Sequence, residues 1–421
     1  MAAALLVIVL AAVWGYPKLV GHRMMTLKTQ AERLYQQGEF DQALTAGTTL
    51  SQKYPEFRSA YVMLGDIHLR SGRLDEADAA FRQVLEAAKG TKQELARAYV
   101  GLGRIASIRN NTDKAMEYYQ LASETDPGGR SGLVPKAMLL EKGGNLEQAL
   151  VCLRTAGEQM PDDPVLSATI REISDKVAYA GSQARQKRID QMVDELLQKL
   201  ESSPEAVVSD GWTSRPLTLW VMDISTQGHS PDEGRERLLG AGLSEQLLNH
   251  PRVRLVERAL LDKLMEELKI GSSRLTDRRT ALSLGKLMAA RLVLFGNVIY
   301  SGPQTQISLR LIESETGRIT ASVSESFGSL VPVSEPANQL AKQILNKIDK
   351  QYPLRAGIQK IEKDALVLNI GSREGVSAGL RFKTLTGNVL AEVVSVDQNI
   401  CRARVIEQGA APFVGQRVEA I

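Results

Sequence analysis

YVMLGDIHLRSGRLDEADAAFRQVLEAAK, residues 61–89, and YVGLGRIASIRNNTDKAMEYYQLASETDP, residues 99–127, are two copies of one pattern. Tyr61-x2-Leu64-Gly65 opens the first and Tyr99-x2-Leu102-Gly103 the second, and Ala77-x3-Phe81 and Ala115-x3-Tyr119 continue them. Outward from this pair, Ala43, Ala77, Ala115 and Ala149 are spaced 34, 38 and 34 residues apart. Gly38, Gly72, Asn110 and Gly144 each stand five residues before an alanine, where a helix end needs a residue tolerant of positive φ. Pro55, Pro127 and Pro161 close three of the units. Self-similarity at this period predicts pairs of helices stacked into a solenoid, an architecture that binds.

These residues resemble the tetratricopeptide repeat family, with four units over residues 26–161. Gly47 stands where that family has a large aromatic residue, Lys89 replaces a closing proline, and the link to the third unit is four residues longer. Residues 162–203 read as helices that cap the last repeat, broken at Gly181-Ser182. Within them Ile189, Met192, Val193, Leu196, Leu197 and Leu200 form an apolar stripe, and Arg185, Lys187 and Arg188 read as a solvated cluster.

The composition is that of an ordinary globular chain of 421 residues: 43% hydrophobic, 24% charged, formal net charge +3. With 5% aromatic residues and no strongly basic face, it gives no argument for nucleic acid as a partner. Cys152 shares a helical stripe with Ala149, Leu153 and Ala156, and Cys401 alternates with Ala403 and Val405, so both read as small buried hydrophobes in different domains. Residues 2–14, AAALLVIVLAAVW, are uniformly apolar. Thirteen such residues fit a secretory apolar region better than a bilayer span of about twenty. Residues 1–20 are therefore read as a signal peptide or membrane anchor, the one expected membrane contact. Lys18, His22, Arg23 and Lys28 follow this stretch, an order that runs against export.

Residues 204–215 lose all periodicity and gather Ser, Pro, Gly and Asp, which marks a linker. The next domain, residues 216–352, alternates strand and helix: strands at Leu217–Ile224, Val253–Val256, Arg291–Tyr300, Gln304–Ile312 and Arg318–Phe327, helices at Glu233–Leu248, Arg258–Leu268, Asp277–Ala290 and Pro336–Lys350. The pattern predicts a mixed sheet covered by helices. Its segments 255–299 and 309–322 resemble the family of the curli-secretion component CsgG, most specifically at Leu255-Val256-Glu257-Arg258, Leu284-Gly285-Lys286-Leu287 and Phe295-Gly296-Asn297-Val298. That resemblance implies a bacterial envelope protein that forms rings or supports secretion, without catalysis. Channel-forming members carry an acylated N-terminal cysteine and membrane-barrel hairpins, and the hairpins here are short and polar. Residues 354–421 alternate Leu366, Leu368 and Ile370 and are punctuated by Gly371, Gly375, Gly379 and Gly387, predicting a small all-β barrel. The stretch LVLNIGSREGVSAGLRFKTL is similar to the C-terminal domain of the flagellar H-ring T protein, and small barrels of this kind pack against a partner or a neighbouring subunit.

Chemistry has no candidate residues. The four histidines, His22, His68, His229 and His250, are scattered without ligand spacing, so neither a metal nor a cofactor site is read here. Ser283-x-x-Lys286 lacks the companion motifs of serine acyl-transferases, and Gly128-Gly129-Arg130-Ser131-Gly132 lacks the preceding strand of a phosphate cradle. The repeats do offer a surface, since helical spacing turns Asp66, Arg70, Arg97, Arg104, Met138 and Lys142 toward the concave groove. Cations around a groove suit an acidic protein segment or a chain terminus. Glu32, Met63 and Gly101 fall where the carboxylate clamp of some tetratricopeptide proteins has polar or basic residues. The sequence thus predicts a non-enzymatic, periplasmic or otherwise envelope-located scaffold that binds a protein partner through its repeats and assembles a complex through its middle domain. The other reading is a self-associating ring component of a secretion or motility apparatus.

Overall fold

The computed structural model describes residues 23–127, 132–181, 191, 212–230, 232–256, 290–363, 365–407 and 409–421. Its first part is a succession of helix pairs: α1 (residues 23–36) with α2 (Phe40–Lys53), α3 (Arg58–Arg70) with α4 (Leu74–Glu86), α5 (Lys92–Ile108) with α6 (Thr112–Thr125), and α7 (Leu133–Lys142) with α8 (Leu146–Gln159). Gly38, Gly72, Asn110 and Gly144 turn each pair with φ of 79°, 73°, 59° and 81°, the left-handed values that the repeat pattern requires. The four repeat alanines are fully buried where paired helices touch. The Phe81 ring is wedged between α3 and α5, where a Cβ on Gly65 or Gly101 would overlap it. The four extra residues ahead of α5 fold back as a bridge between Phe57 and Lys89, so the longer link is absorbed without breaking the stack. Thr91 and Glu94 close a capping box on α5, which satisfies two otherwise orphan amides.

One further helix, α9 (Pro164–Gly181), caps the solenoid, with the Asp163 carboxylate accepting from the amides of Val165 and Leu166 at 3.0 Å each. It covers the last repeat through Leu166 and Ile173, as a capping helix should. The apolar stripe and basic cluster read between residues 185 and 200 lie outside the described residues.

The middle domain comprises β1 (Leu217–Val221), β2 (Ser225–Gln227), α10 (Arg235–Leu248), β3 (Val253–Leu255), β4 (Leu292–Ser301), β5 (Gln304–Glu313), β6 (Ile319–Gly328) and α11 (Ser334–Gln351). Strands run in the order β3-β1-β4-β5-β6, with β2 also beside β4. β1 pairs parallel with β3 and β4, while β4, β5 and β6 form an antiparallel meander. α10 and α11 cover one face and bury Leu219, Leu243, Leu292, Leu309, Leu340 and Ile344 between helix and sheet. The helices expected at Arg258–Leu268 and Asp277–Ala290 fall almost wholly outside the described residues.

The last part is a closed antiparallel barrel in the order β10-β11-β8-β7-β12-β9. Its strands are β7 (Arg355–Glu362), β8 (Ala365–Leu368), β9 (Arg381–Thr384), β10 (Leu390–Val396), β11 (Cys401–Glu407) and β12 (Arg417–Ala420). Leu366, Leu368, Ile370, Cys401 and Ala403 point into its core. The stretch read as a linker does not end loose. Trp212 donates from its indole nitrogen to the Ala356 carbonyl at 3.0 Å and is stacked by the guanidinium groups of Arg355 and Arg417 at 4.7 and 5.1 Å. Ser214 adds two hydrogen bonds to the Arg355 backbone.

Candidate functional site

The concave surface is lined by the first helix of each repeat. α3 carries Asp66 and Arg70 one turn apart, α5 carries Arg97 and Arg104 two turns apart, and α7 carries Met138 and Lys142 one turn apart. The structure does not leave these residues facing an open groove, because two loops of the chain's own middle domain enter it. Arg70 donates to the Ser329 carbonyl at 2.9 Å and lies 3.7 Å from the Asp232 carboxylate. Arg104 donates to the Ser230 carbonyl at 2.8 Å and contacts the Glu233 carboxylate at 2.6 Å, and the Tyr119 hydroxyl donates to the same carboxylate at 3.1 Å. Met138 packs against the backbone of Gly234, where a Cβ would collide with it.

The expected row of free cations is therefore corrected. The Arg70 and Arg104 side chains are only 12% exposed and already hold an acidic pair, Asp232-Glu233, supplied from within the chain. Asp66 and Arg97 are ion-paired with each other, and Asp66 also accepts weakly from Tyr35 at 3.5 Å. Of the six, Arg97 and Lys142 stay exposed, and Arg97 is spent on Asp66. Lys142 borders a cleft of about 810 Å³ between α7, α9 and α10, which Glu141, Glu172, Arg237, Trp220 and Met222 also line.

The contact continues on both sides of this acidic pair. Leu330, in the loop between β6 and α11, packs with Ala31, Tyr35, Phe40, Met63 and Ile67 of the first repeats. Arg235 ties Asp232, at 2.9 Å, to the Val331 carbonyl, at 2.5 Å. Toward the capping helix, Arg237 reaches Glu141 at 3.1 Å and Glu172 at 2.7 Å, and Lys176 shares Glu141 at 3.1 Å. Asp232 and Glu233 immediately precede α10, so the positive end of that helix favours their charge as well.

The protonation states follow from burial opposed by these partners. Burial disfavours the charge on Arg70, but Asp232, Tyr35 and Asp66 outweigh it and hold the guanidinium firmly charged. Burial pushes the Asp232 carboxyl up, yet Arg70, Arg235 and Arg104 hold it below the usual range. Arg237 follows the same logic, burial opposed more strongly by Glu172 and Glu141. Burial, and then the Glu233 charge, push the Tyr119 hydroxyl far up, and burial with Asp66 raises Tyr35 to about 12. Two neutral phenols and a set of paired charges make a docking joint. They do not make an acid–base centre, which needs a group poised near neutral pH beside open space.

What meets these side chains lies beyond local sequence reasoning. Arg104 and Glu233 are 129 residues apart, and no local period connects them. The available signal was charge alone: an acidic dipeptide ahead of a helix, and a row of cations in the repeats.

On the side of the middle sheet away from α10 and α11, β5 and β6 carry exposed residues such as Arg310, Ser322 and Ser324. Across the ladder, Phe295, Arg310 and Ser322 share one row, and Asn297, Ser308 and Ser324 the next. The Ser308 and Ser324 hydroxyls are 2.8 Å apart. Among the described residues no group of three or more His, Cys, Asp or Glu side chains could hold a metal ion. Among them, too, no helix is long and apolar enough to cross a membrane. Residues 2–14 lie outside that set.

Comparison with known proteins assigns two of the three parts. Residues 56–127 match the tetratricopeptide repeat, and residues 235–323 match the peptidoglycan-synthase activator LpoB. The chain thus carries tetratricopeptide repeats and an LpoB-like domain. No curated protein matches the chain. Among solved structures it is similar to the LpoB C-terminal domain of Salmonella enterica, at 21% identity over 33% of this chain and 95% of that one, with a TM-score of 0.23. It is also similar to YrrB, described as a tetratricopeptide protein with an unusual peptide-binding site, at 21% identity over 43% and 86%, with a TM-score of 0.30. A third is the lipoprotein GNA1162 of Neisseria meningitidis, at 18% identity over 32% and 99%, with a TM-score of 0.25. At these scores none of the three bears on function.

Proposed function

We propose that this chain is a non-enzymatic scaffold of a Gram-negative-type cell envelope, in which the solenoid mounts the middle domain and the middle domain engages a peptidoglycan synthase. The match of residues 235–323 to the synthase activator carries this reading. The docking joint supports it, because it uses the concave groove for the chain's own middle domain, while Arg310 and Ser322 on β5 and β6 are exposed. An external partner then meets the sheet face rather than Arg70 and Arg104. A secretion role of the kind the CsgG resemblance implies would use the same domain but would require ring assembly.

The test is co-purification of the full chain with a detergent-solubilised peptidoglycan synthase, together with its rate of glycan polymerisation. The expected result is a stable complex and a faster rate, both weakened by Arg310→Glu on the exposed sheet face. A chain that neither binds nor changes the rate, and that runs as a discrete high-mass ring by itself, contradicts the reading and favours self-assembly.

A further inference from the structure

Two loops at one end of the barrel, residues 385–388 between β9 and β10 and residues 409–416 between β11 and β12, are braced into one unit. The Gln416 side chain, 5% exposed, donates to the Thr386 carbonyl at 2.7 Å and accepts from the Phe413 amide at 3.2 Å. The Ala410 amide donates to the Gly387 carbonyl at 2.8 Å, the Leu385 amide to the Arg417 carbonyl at 3.1 Å, and the Gly415 amide to the Ile358 carbonyl at 2.8 Å. Gly409 lies so close to the Gly387 backbone that no side chain fits between the loops, and Gly387 and Gly415 hold φ of 89° and 88°.

This bracing holds three large apolar side chains out of the barrel: Leu385, Phe413 and Val414 are 53%, 58% and 62% exposed. Neither loop carries a charge from residue 384 to 391 or from 409 to 416, in a chain that is 24% charged. The exposed charges that flank the loops on these strands are the cations Lys383 and Arg417 and one carboxylate, Glu407. A rigid apolar projection with no acidic group on it needs a partner that accepts it.

We infer that this end of the barrel inserts its loop tips into the headgroup–acyl boundary of an anionic lipid surface. The tips are convex, and lipid yields around a convex projection, whereas a protein partner would have to offer a matching pocket. Apolar tips beside cations match anionic headgroups over hydrocarbon. A single modest apolar contact gives only reversible attachment, and two such signals together give a stable one; the apolar stretch at residues 2–14 is the other signal in this chain. This inference does not depend on the synthase reading.

The test is local, so that residues 1–22 do not confound it. In the full chain with Cys152→Ser, Val414→Cys is labelled with an environment-sensitive fluorophore and mixed with vesicles of phosphatidylcholine and phosphatidylglycerol. The expected result is a blue shift and quenching by lipid-borne quenchers, absent from the same label at Ser326→Cys. The triple change Leu385→Ser, Phe413→Ser, Val414→Ser should weaken vesicle binding by about tenfold or more. An unshifted label on vesicle-bound chain overturns the inference. So does a shift that appears without vesicles and grows with protein concentration, which would identify a second copy as the occupant.

Discussion

The middle domain has two neighbours, and the two joints are made differently. Toward the solenoid it uses paired, partly buried charge: Arg70, Arg104 and Arg237 pair with Asp232, Glu233, Glu141 and Glu172 across helices and loops far apart in sequence. Toward the barrel it relies on one arginine and a tryptophan. Arg252 binds Asp349 at 3.0 Å and the Tyr352 carbonyl, and its stem packs against Gly375 of the barrel. Trp212 lies between Arg355 and Arg417. The first joint fixes a register, because every charge needs its own partner; the second is a tether, where stacking tolerates adjustment.

The largest effect should come from breaking the charged joint. Arg237→Ala leaves Glu141, 10% exposed, with only Lys176, and should cost roughly 3 kcal/mol of stability in urea denaturation, since an unpaired buried charge is expensive. Replacing Arg237, Glu141 and Glu172 together by apolar residues should recover much of that loss. If the single change costs no more than a surface substitution, the joint does not hold the two parts together.

Trp212→Ala should cost less, about 1–2 kcal/mol, from one hydrogen bond and two stacked cations. Its signature should be a barrel transition that separates from the rest in calorimetry, whereas Arg237→Ala lowers the solenoid and middle domain together. A single undivided transition in the Trp212 variant would mean that both joints are rigid.

The joints should also differ in pH response. Asp232 is held below its ordinary value, so its contribution is present above about pH 4 and is lost as pH falls through the folded value. Tyr35 is raised to about 12, so its contribution is complete below about pH 10 and is lost as pH rises from there toward 12. The solenoid–middle joint should therefore weaken at both extremes. Fluorescence transfer between labels on α3 and α10 would detect this, and a distance unchanged down to pH 2 would remove Asp232 from the joint. Smallest of all, Lys142→Glu should shift stability by less than about 0.5 kcal/mol, because that side chain is exposed.

Legibility followed the range of the interactions. The turns at Gly38, Gly72, Asn110 and Gly144 were readable because a single backbone angle at a fixed offset demands them. Strands β4, β5 and β6 lay within a residue of their expected bounds, since alternation along a meander is local. The partners of the groove residues were invisible: pairing Arg70 with Asp232 requires knowing how two domains dock. Trp212 was read as linker because its Ser, Pro and Gly neighbours suggest a loose chain, and its stacking partners lie more than a hundred residues later. The loop of residues 409–416, a braced apolar projection outside the barrel, is announced by no repeat or alternation.

The central claim is that the repeats grip the chain's own middle domain through its acidic loop. A double-mutant cycle of Arg104→Ala and Glu233→Ala, measured by urea denaturation of the full chain, tests it most directly. The account predicts that the two changes interact by about 1–3 kcal/mol, with the second change costing little once the first is made. Strictly additive effects would contradict it and return the groove to an external partner.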